Sequence, residues 1–245
     1  MSGPTPDAAH WPPAPAGATG RLLELCGDGL TGFMPPALPD AAWVLNAMYE
    51  HEHEHPNGQC PADVPAVAKD GLGRAEHPGP GWRRLRWAEL ARRTGDPVAT
   101  AELPPCYRSF PSVAAAGGQA RGIYWPTEGS MDRETWNRTI EILLRHSPEG
   151  ADTRCLAYYS PLTLPAWDFD DIHVRAGRLG DAKALYDYPE ADFSPSNLWA
   201  EDHSWVVCSD YDLWASKVAG PAPLVEALLA DTELEAVRMP PAPWS

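Results

Sequence analysis

The sequence predicts an α+β fold, an antiparallel sheet with helices packed on one face and many loops rich in proline and glycine. The C-terminal third carries the strongest signal, because its pattern runs strand, strand, helix, strand. The 28 prolines and 20 glycines among 245 residues favour short elements joined by turns. A hydrophobic share of 44% is ordinary for a globular protein and allows a sizeable core.

The chain divides into one domain and two tails. Residues 1–19 are rich in proline, alanine and glycine, and we predict a disordered tail because they bury too little apolar surface to offset their ordering entropy. Residues 20–239 are predicted to form a single α+β domain. Residues 240–245 form a short C-terminal tail.

In the N-terminal half the patterns favour helices. Residues 41–52 predict a helix that Asp40 can cap, although the apolar run 42–49 also suits a strand. Residues 82–94 predict an amphipathic helix with apolar residues inward and five arginines outward.

The second half begins with a helix and continues with strands. Residues 133–146 predict a helix capped by Asp132, followed by strands over 153–160 and 171–179. The C-terminal pattern then predicts a hairpin, a helix and a last strand, over residues 204–209, 213–219, 224–231 and 233–239.

The charge distribution excludes one class of partner. The net charge is -15, and residues 126–245 carry 21 acidic against nine basic side chains. Such a surface repels phosphate backbones, so we predict no nucleic-acid binding and favour a basic protein partner or a cation. Solubility alone is the alternative explanation of the charge.

Cysteine usage and hydropathy indicate a cytoplasmic protein without a cofactor. The five cysteines are widely spaced and include no CxxC pair, so neither a disulfide framework nor a structural zinc site is predicted. There is no apolar run of the roughly 20 residues that a membrane span needs, and no secretory signal at the N-terminus.

The stretch "MYEHEHEHP" contains His51-Glu52-x-x-His55 and resembles the zinc motif of zincin-type metallopeptidases, which implies two helical histidine ligands and a general base. Any five-residue run that begins with His and alternates His and Glu contains this motif, so the match carries little information. In addition, Pro56 disfavours the helical conformation at His55. Pro61 stands where that family has a third ligand. We therefore predict a polar helix end, with weak adventitious metal affinity from His51, His53 and His55.

Two acidic motifs are also present. Asp168-Phe169-Asp170-Asp171 resembles the acid motif of class II terpene cyclases, but the segment is not helical as that family requires. Asp210-Tyr211-Asp212 resembles the metal-binding motif of some glycosyltransferases, and turn chemistry is the preferred interpretation. Together the two segments can hold a hard cation if they converge in space.

Catalytic candidates are scattered, and no nucleophile elbow, phosphate loop or dinucleotide motif occurs. The residues suited to acid–base chemistry are His173, Asp202, His203 and Asp212. Cys155 and Cys208 lie in predicted strands and are interpreted as small apolar core residues.

Aromatic residues accompany the acids of the C-terminal half. Among the 11 tryptophans, several lie at predicted strand ends and loops, where they pack in the core or anchor an interface. The candidate binding residues are Trp199, Trp205, Asp210, Tyr211 and Trp214. Residues 197–220 and 224–239 resemble the C-terminal portion of uncharacterised actinobacterial cytoplasmic proteins, a group that implies no activity, and the layout is similar to that of small acidic immunity proteins.

These observations lead to two hypotheses of different class. The first is a cytoplasmic, acidic binding protein, of the immunity type, that contacts a basic protein through the acidic aromatic half. The second is an enzyme of specialised metabolism that acts on a small molecule in a cleft lined by Trp and Tyr. A zinc metallopeptidase is the third and least favoured possibility.

Overall fold

The computed structural model describes residues 11–15, 18, 38–52, 73–74, 77–99, 103–115, 122–160, 173–189 and 191–239. The helices of this part are α1 (Trp87–Thr94), α2 (Pro111–Ala115), α3 (Arg133–His146), α4 (Ala222–Ala230) and two 3₁₀ helices (Gly150–Asp152, Leu179–Asp187). Its strands are β1 (Asp40–Leu45), β2 (Met48–His51), β3 (Trp82–Leu85), β4 (Ile123–Tyr124), β5 (Arg154–Tyr159), β6 (His173–Arg178), β7 (Asn197–Ala200), β8 (Val206–Ser209), β9 (Ala215–Gly220) and β10 (Ala236–Arg238).

The strands form two sheets, and within each sheet neighbouring strands are antiparallel. The larger sheet has seven strands in the order β10-β1-β9-β8-β7-β5-β6, and the smaller has the order β3-β2-β4. The α+β class with an antiparallel sheet is therefore confirmed. Strand β1 lies between β9 and β10, so the N-terminal half completes a sheet built mainly from the C-terminal half.

The large sheet has a helical face and an opposite face. Inward residues of β1, β5, β7, β8 and β9 pack with α3, α4 and the second 3₁₀ helix to form the main hydrophobic core. On the opposite face, Trp43 and Leu45 of β1 form a second core with α1 and the small sheet. The smaller sheet thus packs on the face of the large sheet opposite α3 and α4, at the end where β1 lies.

Helix α3 follows the prediction because its start signal is local. Asp132 is its N-cap, and Asp132 Oδ1 accepts a hydrogen bond from the backbone N–H of Thr135 at 3.0 Å. The apolar stripe of α3, which includes Trp136, Ile140 and Leu143, is fully buried against the sheet. The strand predicted over residues 153–160 is likewise present, as are the hairpin, the helix and the last strand predicted for the C-terminal third.

The helix predicted over residues 41–52 is wrong, and the alternative of a strand is found. Strands β1 and β2 occupy this stretch and are separated by Asn46 and Ala47. Both faces of β1 are buried, with Trp43 and Leu45 on one side and Ala42 and Val44 on the other. A strand covered on both sides has a continuous apolar run, which periodicity does not distinguish from a buried helix.

Of the helix predicted over residues 82–94, only the second part is found. Its first part is strand β3, which pairs with β2, and α1 begins only at Trp87. Helix α1 donates its N-terminal hydrogen bonds to a distant residue: the carboxylate of Glu235 accepts from the backbone N–H groups of Trp87 and Ala88, each at 2.8 Å. This tertiary contact sets the boundary.

The N-terminal tail prediction is wrong for residues 11–15. The ring of Trp11 is only 1% exposed and belongs to the main core. Residues 12–14 pair with the edge strand β6 through the bonds Ala14 N–H to Val174 O (2.8 Å) and Ala176 N–H to Pro12 O (2.9 Å). Residues 1–10, 16–17 and 19 of the predicted tail lie outside the described residues, as do residues 240–245.

Candidate functional site

The turn between β8 and β9 brings three of the predicted site residues together at one end of the large sheet. Asp210 Oδ1 accepts a hydrogen bond from the backbone N–H of Asp212 at 3.0 Å, so the side chain of Asp210 closes the turn. The turn is fixed to the neighbouring loop by the bond from Gly129 N–H to Leu213 O at 3.1 Å. This loop carries a further carboxylate, Glu128.

Close packing holds the loops around the turn in place. Gly129 has a positive φ of 77°, and a Cβ there would lie 3.0 Å from the Phe193 ring and 3.3 Å from the Cα of Tyr211. The rings of Phe193 and Tyr211 stack with centroids 6.0 Å apart. Behind them, Ser130 Oγ and Ser194 Oγ are hydrogen-bonded at 3.0 Å in the interior. The turn is thus presented by an ordered framework.

We call Glu128, Asp210, Tyr211 and Asp212 the acidic turn. Burial raises the pKa of Glu128, and the charge of Asp212 raises it further. Burial also raises the pKa of Asp210, where Asp212 again adds to the effect and the backbone hydrogen bond opposes it. Within the described part of the chain none of these three carboxylates forms an ion pair, so their mutual repulsion is uncompensated.

Asp212→Asn is expected to increase the free energy of unfolding at pH 7 by about 0.5 kcal/mol, the size of an exposed charge interaction. The pKa values of Glu128 and Asp210 are raised in the folded state, so the folded state binds more protons than the unfolded chain. The contribution of these two groups to stability therefore falls as pH rises from the ordinary carboxyl range through their raised pKa values, and the variant weakens this fall.

Urea unfolding at pH 4 and pH 7 measures this effect. Glu149→Gln, at an exposed position remote from the turn in sequence, serves as the control and should match the wild type at both pH values. A variant of Asp212 that is less stable than the wild type at pH 7 contradicts the expected repulsion.

The predicted tryptophan anchors are placed mostly inside the protein. Trp205 belongs to the core on the helical face, where its Nε1 donates to Ser147 Oγ at 2.9 Å. Trp214 is buried and its ring stacks on Trp125 at 5.4 Å, and Trp199 is buried on the opposite face of the sheet. A tryptophan side chain suits a core as well as an interface, and here all three tryptophans are core residues. Among the predicted binding residues, Tyr211 is an aromatic residue that is partly exposed.

The predicted acid–base residues are not gathered in one place. Asp202 and His203 are exposed in the turn before β8, where Asp202 Oδ1 accepts from Ser204 N–H at 3.0 Å. His203 has a positive φ of 63° there, a turn conformation. Asp212 lies in the turn after β8, at its other end. The backbone of His173 opens β6, opposite Tyr159 of β5.

The first histidine of the zinc-peptidase motif, His51, does not lie on a helix. His51 is the last residue of β2 and its ring packs on Trp82 at a centroid distance of 5.3 Å, so the polar helix end predicted at this point is a strand end. His53 and His55 lie outside the described residues, as does the acidic motif Asp168–Asp171. Among the described residues no group of three or more His, Cys, Asp or Glu side chains is arranged to hold a metal ion.

Sequence reasoning missed a polar row on the face of the sheet opposite α3. Asn197 of β7 pairs with Cys208 of β8, which pairs with Lys217 of β9, so their side chains project from the same face. Of these three residues only Lys217 is a charged residue within a predicted strand, and no strand was predicted over Asn197. The register that aligns them cannot be obtained from one sequence.

Comparison with protein-family models, with curated proteins and with solved structures finds no match for this chain. In the part of the chain that the structure describes, no helix has the length and apolar character needed to cross a membrane.

Proposed function

We propose that this protein works by binding a basic protein partner at the acidic turn, in the manner of an immunity protein that masks a toxic protein. The proposal rests on the electrostatics of Glu128, Asp210 and Asp212. The raised pKa values of Glu128 and Asp210, and the absence of ion pairs to the three carboxylates among the described residues, indicate a site where clustering of negative charge is unfavourable. An arginine or lysine side chain from a partner would remove that cost.

Several other acidic residues of the described part of the chain have cationic partners. Arg74 pairs with Asp192 at 3.3 Å, and Arg133 pairs with Asp187 at 2.5 Å. The arginines of β3 and α1 pair with Glu50 and Glu89 on the small sheet and α1. The basic segment 82–94 therefore neutralises its own surroundings and leaves the turn's charge for an external partner.

Tyr211 supplies the aromatic contact that such an interface needs. Its ring is partly exposed and is held by stacking on Phe193, so little side-chain entropy is lost when it packs against a partner. An ordered aromatic ring beside desolvated carboxylates is an arrangement that binds arginine well, through ion pairing and stacking together. The net charge of -15 adds long-range attraction for a basic protein.

The test is a pull-down from a lysate of the source organism with the immobilised protein, in parallel with Asp212→Lys and Glu149→Lys. Both variants change net charge equally, but only the first reverses a charge at the acidic turn. We expect a basic protein that the wild type and Glu149→Lys retain at low salt and that Asp212→Lys binds at least about tenfold more weakly, a change of 1.4 kcal/mol.

Salt and aromatic variants separate this interface from nonspecific attraction. Tyr211→Ala leaves the charge intact and should also weaken the specific complex, whereas nonspecific binding depends on ionic strength alone. A retained protein that responds equally to Asp212→Lys and Glu149→Lys, or that is indifferent to both, contradicts the proposal.

A further inference from the structure

The turn at residues 106–109 carries a large aromatic side chain into solvent. Tyr107 is 64% exposed, and no other large hydrophobic side chain in the described part of the chain is exposed to this degree. The turn is closed by two hydrogen bonds, from Ser109 N–H to Cys106 O and from Cys106 N–H to Ser109 Oγ, each at 2.9 Å. Cys106 and Phe110, on either side, are buried in the second core. Tyr107 therefore projects from a turn whose base is anchored in the protein.

Arg108 adds a cationic group to this turn. Its guanidinium carbon lies 5.5 Å from the centroid of the Tyr107 ring, a cation–π contact that restricts both side chains. Within the described residues the guanidinium group of Arg108 forms no ion pair or hydrogen bond, although the chain has 34 acidic residues. Its planar set of N–H donors is suited to a carboxylate of another molecule.

This turn and the acidic turn are neighbours, joined through Trp214. The backbone N–H of Trp214, two residues after Asp212, donates to Pro105 O at 2.9 Å, two residues before Tyr107. Because two residues span at most about 7 Å, the Cα atoms of Tyr107 and Asp212 lie within about 21 Å of each other. An interface that buries about 800 Å² on each partner is about 30 Å across, so a single partner can contact both turns.

A packed aromatic cluster fixes the relative position of the two turns. The rings of Trp125 and Trp214 stack with centroids 5.4 Å apart, and the ring of Phe110 lies 6.0 Å from that of Trp125. Trp125 is partly exposed, and the chain runs from it in three residues to Glu128 of the acidic turn. Because the two turns are already ordered in the free protein, a partner loses little of its binding free energy in ordering them.

We propose that the basic partner spans both turns, and that Tyr107 and Arg108 form the second contact of one interface. This inference rests on the proposed function at the acidic turn and adds the chemistry of the partner. The partner presents a lysine or arginine to the acidic turn and, within about 21 Å, an apolar recess for the Tyr107 ring edged by a carboxylate for Arg108. Tyrosine and arginine are residue types that dominate the binding energy of interfaces. Opposite charges at the two turns also fix the orientation in which the partner binds.

The first test measures by calorimetry the affinity for the basic protein that the pull-down retains. Tyr107→Ala and Arg108→Glu should each raise the dissociation constant at least about tenfold, whereas Tyr107→Phe keeps the ring and should stay within about twofold of the wild type. Since Tyr107 is exposed, its removal leaves the folded chain intact.

Arg145→Glu is the matched control for Arg108→Glu. It makes the same change of charge at an exposed position in the last turn of α3. Both substitutions make the protein more acidic, which by itself strengthens the long-range attraction of a basic protein. Arg145→Glu should therefore bind at least as tightly as the wild type, and weaker binding by Arg108→Glu identifies a local contact.

Photo-cross-linking tests whether one partner contacts both turns. The photoreactive residue p-benzoylphenylalanine is placed at position 107, and at the exposed position 149 as the control, and is activated in the lysate. We expect position 107, and not position 149, to cross-link the basic protein that the pull-down retains, and we expect Asp212→Lys to abolish the cross-link.

The outcomes separate this inference from the proposed function. A complex that Asp212→Lys weakens, but that Tyr107→Ala and Arg108→Glu leave unchanged, overturns the shared interface and leaves binding at the acidic turn standing. A protein that cross-links at position 107 equally well in Asp212→Lys also overturns the shared interface, because that partner does not use the acidic turn. The proposed function itself fails only when the pull-down shows no dependence on Asp212.

Discussion

Trp11→Ala is expected to lower the free energy of unfolding by about 3–5 kcal/mol, the usual cost of removing a buried indole ring. The ring is 1% exposed and packs among core residues of the helical face, although it comes from a segment rich in proline and alanine. Urea unfolding followed by circular dichroism measures the loss. Tyr107→Ala removes a large aromatic side chain that is 64% exposed, and this control should stay within about 0.5 kcal/mol of the wild type.

A second variant tests the same contact from the other side. A Cβ on Gly177 would lie 2.5 Å from Cδ2 of Trp11, so Gly177→Ala forces the ring from its place and should cost about 1–3 kcal/mol. In the Trp11→Ala background that methyl group has room, and the cost of Gly177→Ala should largely vanish. Additive losses in the double variant, or a stable Trp11→Ala protein, would place the ring outside the core.

Asp132→Ala is expected to lower the free energy of unfolding by about 2–4 kcal/mol, because one buried carboxylate caps α3 and joins it to the sheet. Asp132 Oδ2 accepts from Thr135 Oγ1 at 2.6 Å and from the backbone N–H of Ala47 at 3.2 Å, in addition to the capping bond of Oδ1. The substitution leaves the N–H of Ala47 unsatisfied between β1 and β2.

Graded variants separate these contributions. Asp132→Asn keeps one acceptor oxygen and the shape of the side chain, so about half the loss is expected. Glu134→Ala changes an exposed residue in the first turn of α3, and it should cost no more than about 0.5 kcal/mol. Equal losses for Asp132→Asn and Glu134→Ala would show that charge near the helix end, and not the buried hydrogen bonds, is what matters.

Elements with local signals could be predicted from the sequence. Helix α3 has its cap and its apolar stripe within 15 residues, and the β8–β9 hairpin has its turn residues between two apolar runs. The position of β1 could not be predicted, because its place beside the edge strand β10 depends on pairing with β9 and β10. Its apolar run is explained by burial on two faces, a property of the finished fold.

The same distinction applies to the candidate sites. Asp210, Tyr211 and Asp212 adjoin one another in the sequence and form one turn, so their association could be foreseen. Glu128 joins them only through the contact between Gly129 and Leu213. The alignment of Asn197 with Lys217 depends on strand register, and the burial of Trp11 depends on a contact with residues some 170 positions away. Long-range contacts of this kind leave no local pattern.

The place of β1 in the sheet has a consequence for synthesis on the ribosome. Its two neighbours, β9 and β10, lie some 170 and 190 residues further along the chain. At translation rates of about 5–20 residues per second, Trp43, Val44 and Leu45 emerge from the ribosome roughly 10–30 s before the first strand they pair with exists. During that interval the nascent chain exposes an apolar segment with both backbone edges free, a segment suited to chaperones that bind extended hydrophobic peptides.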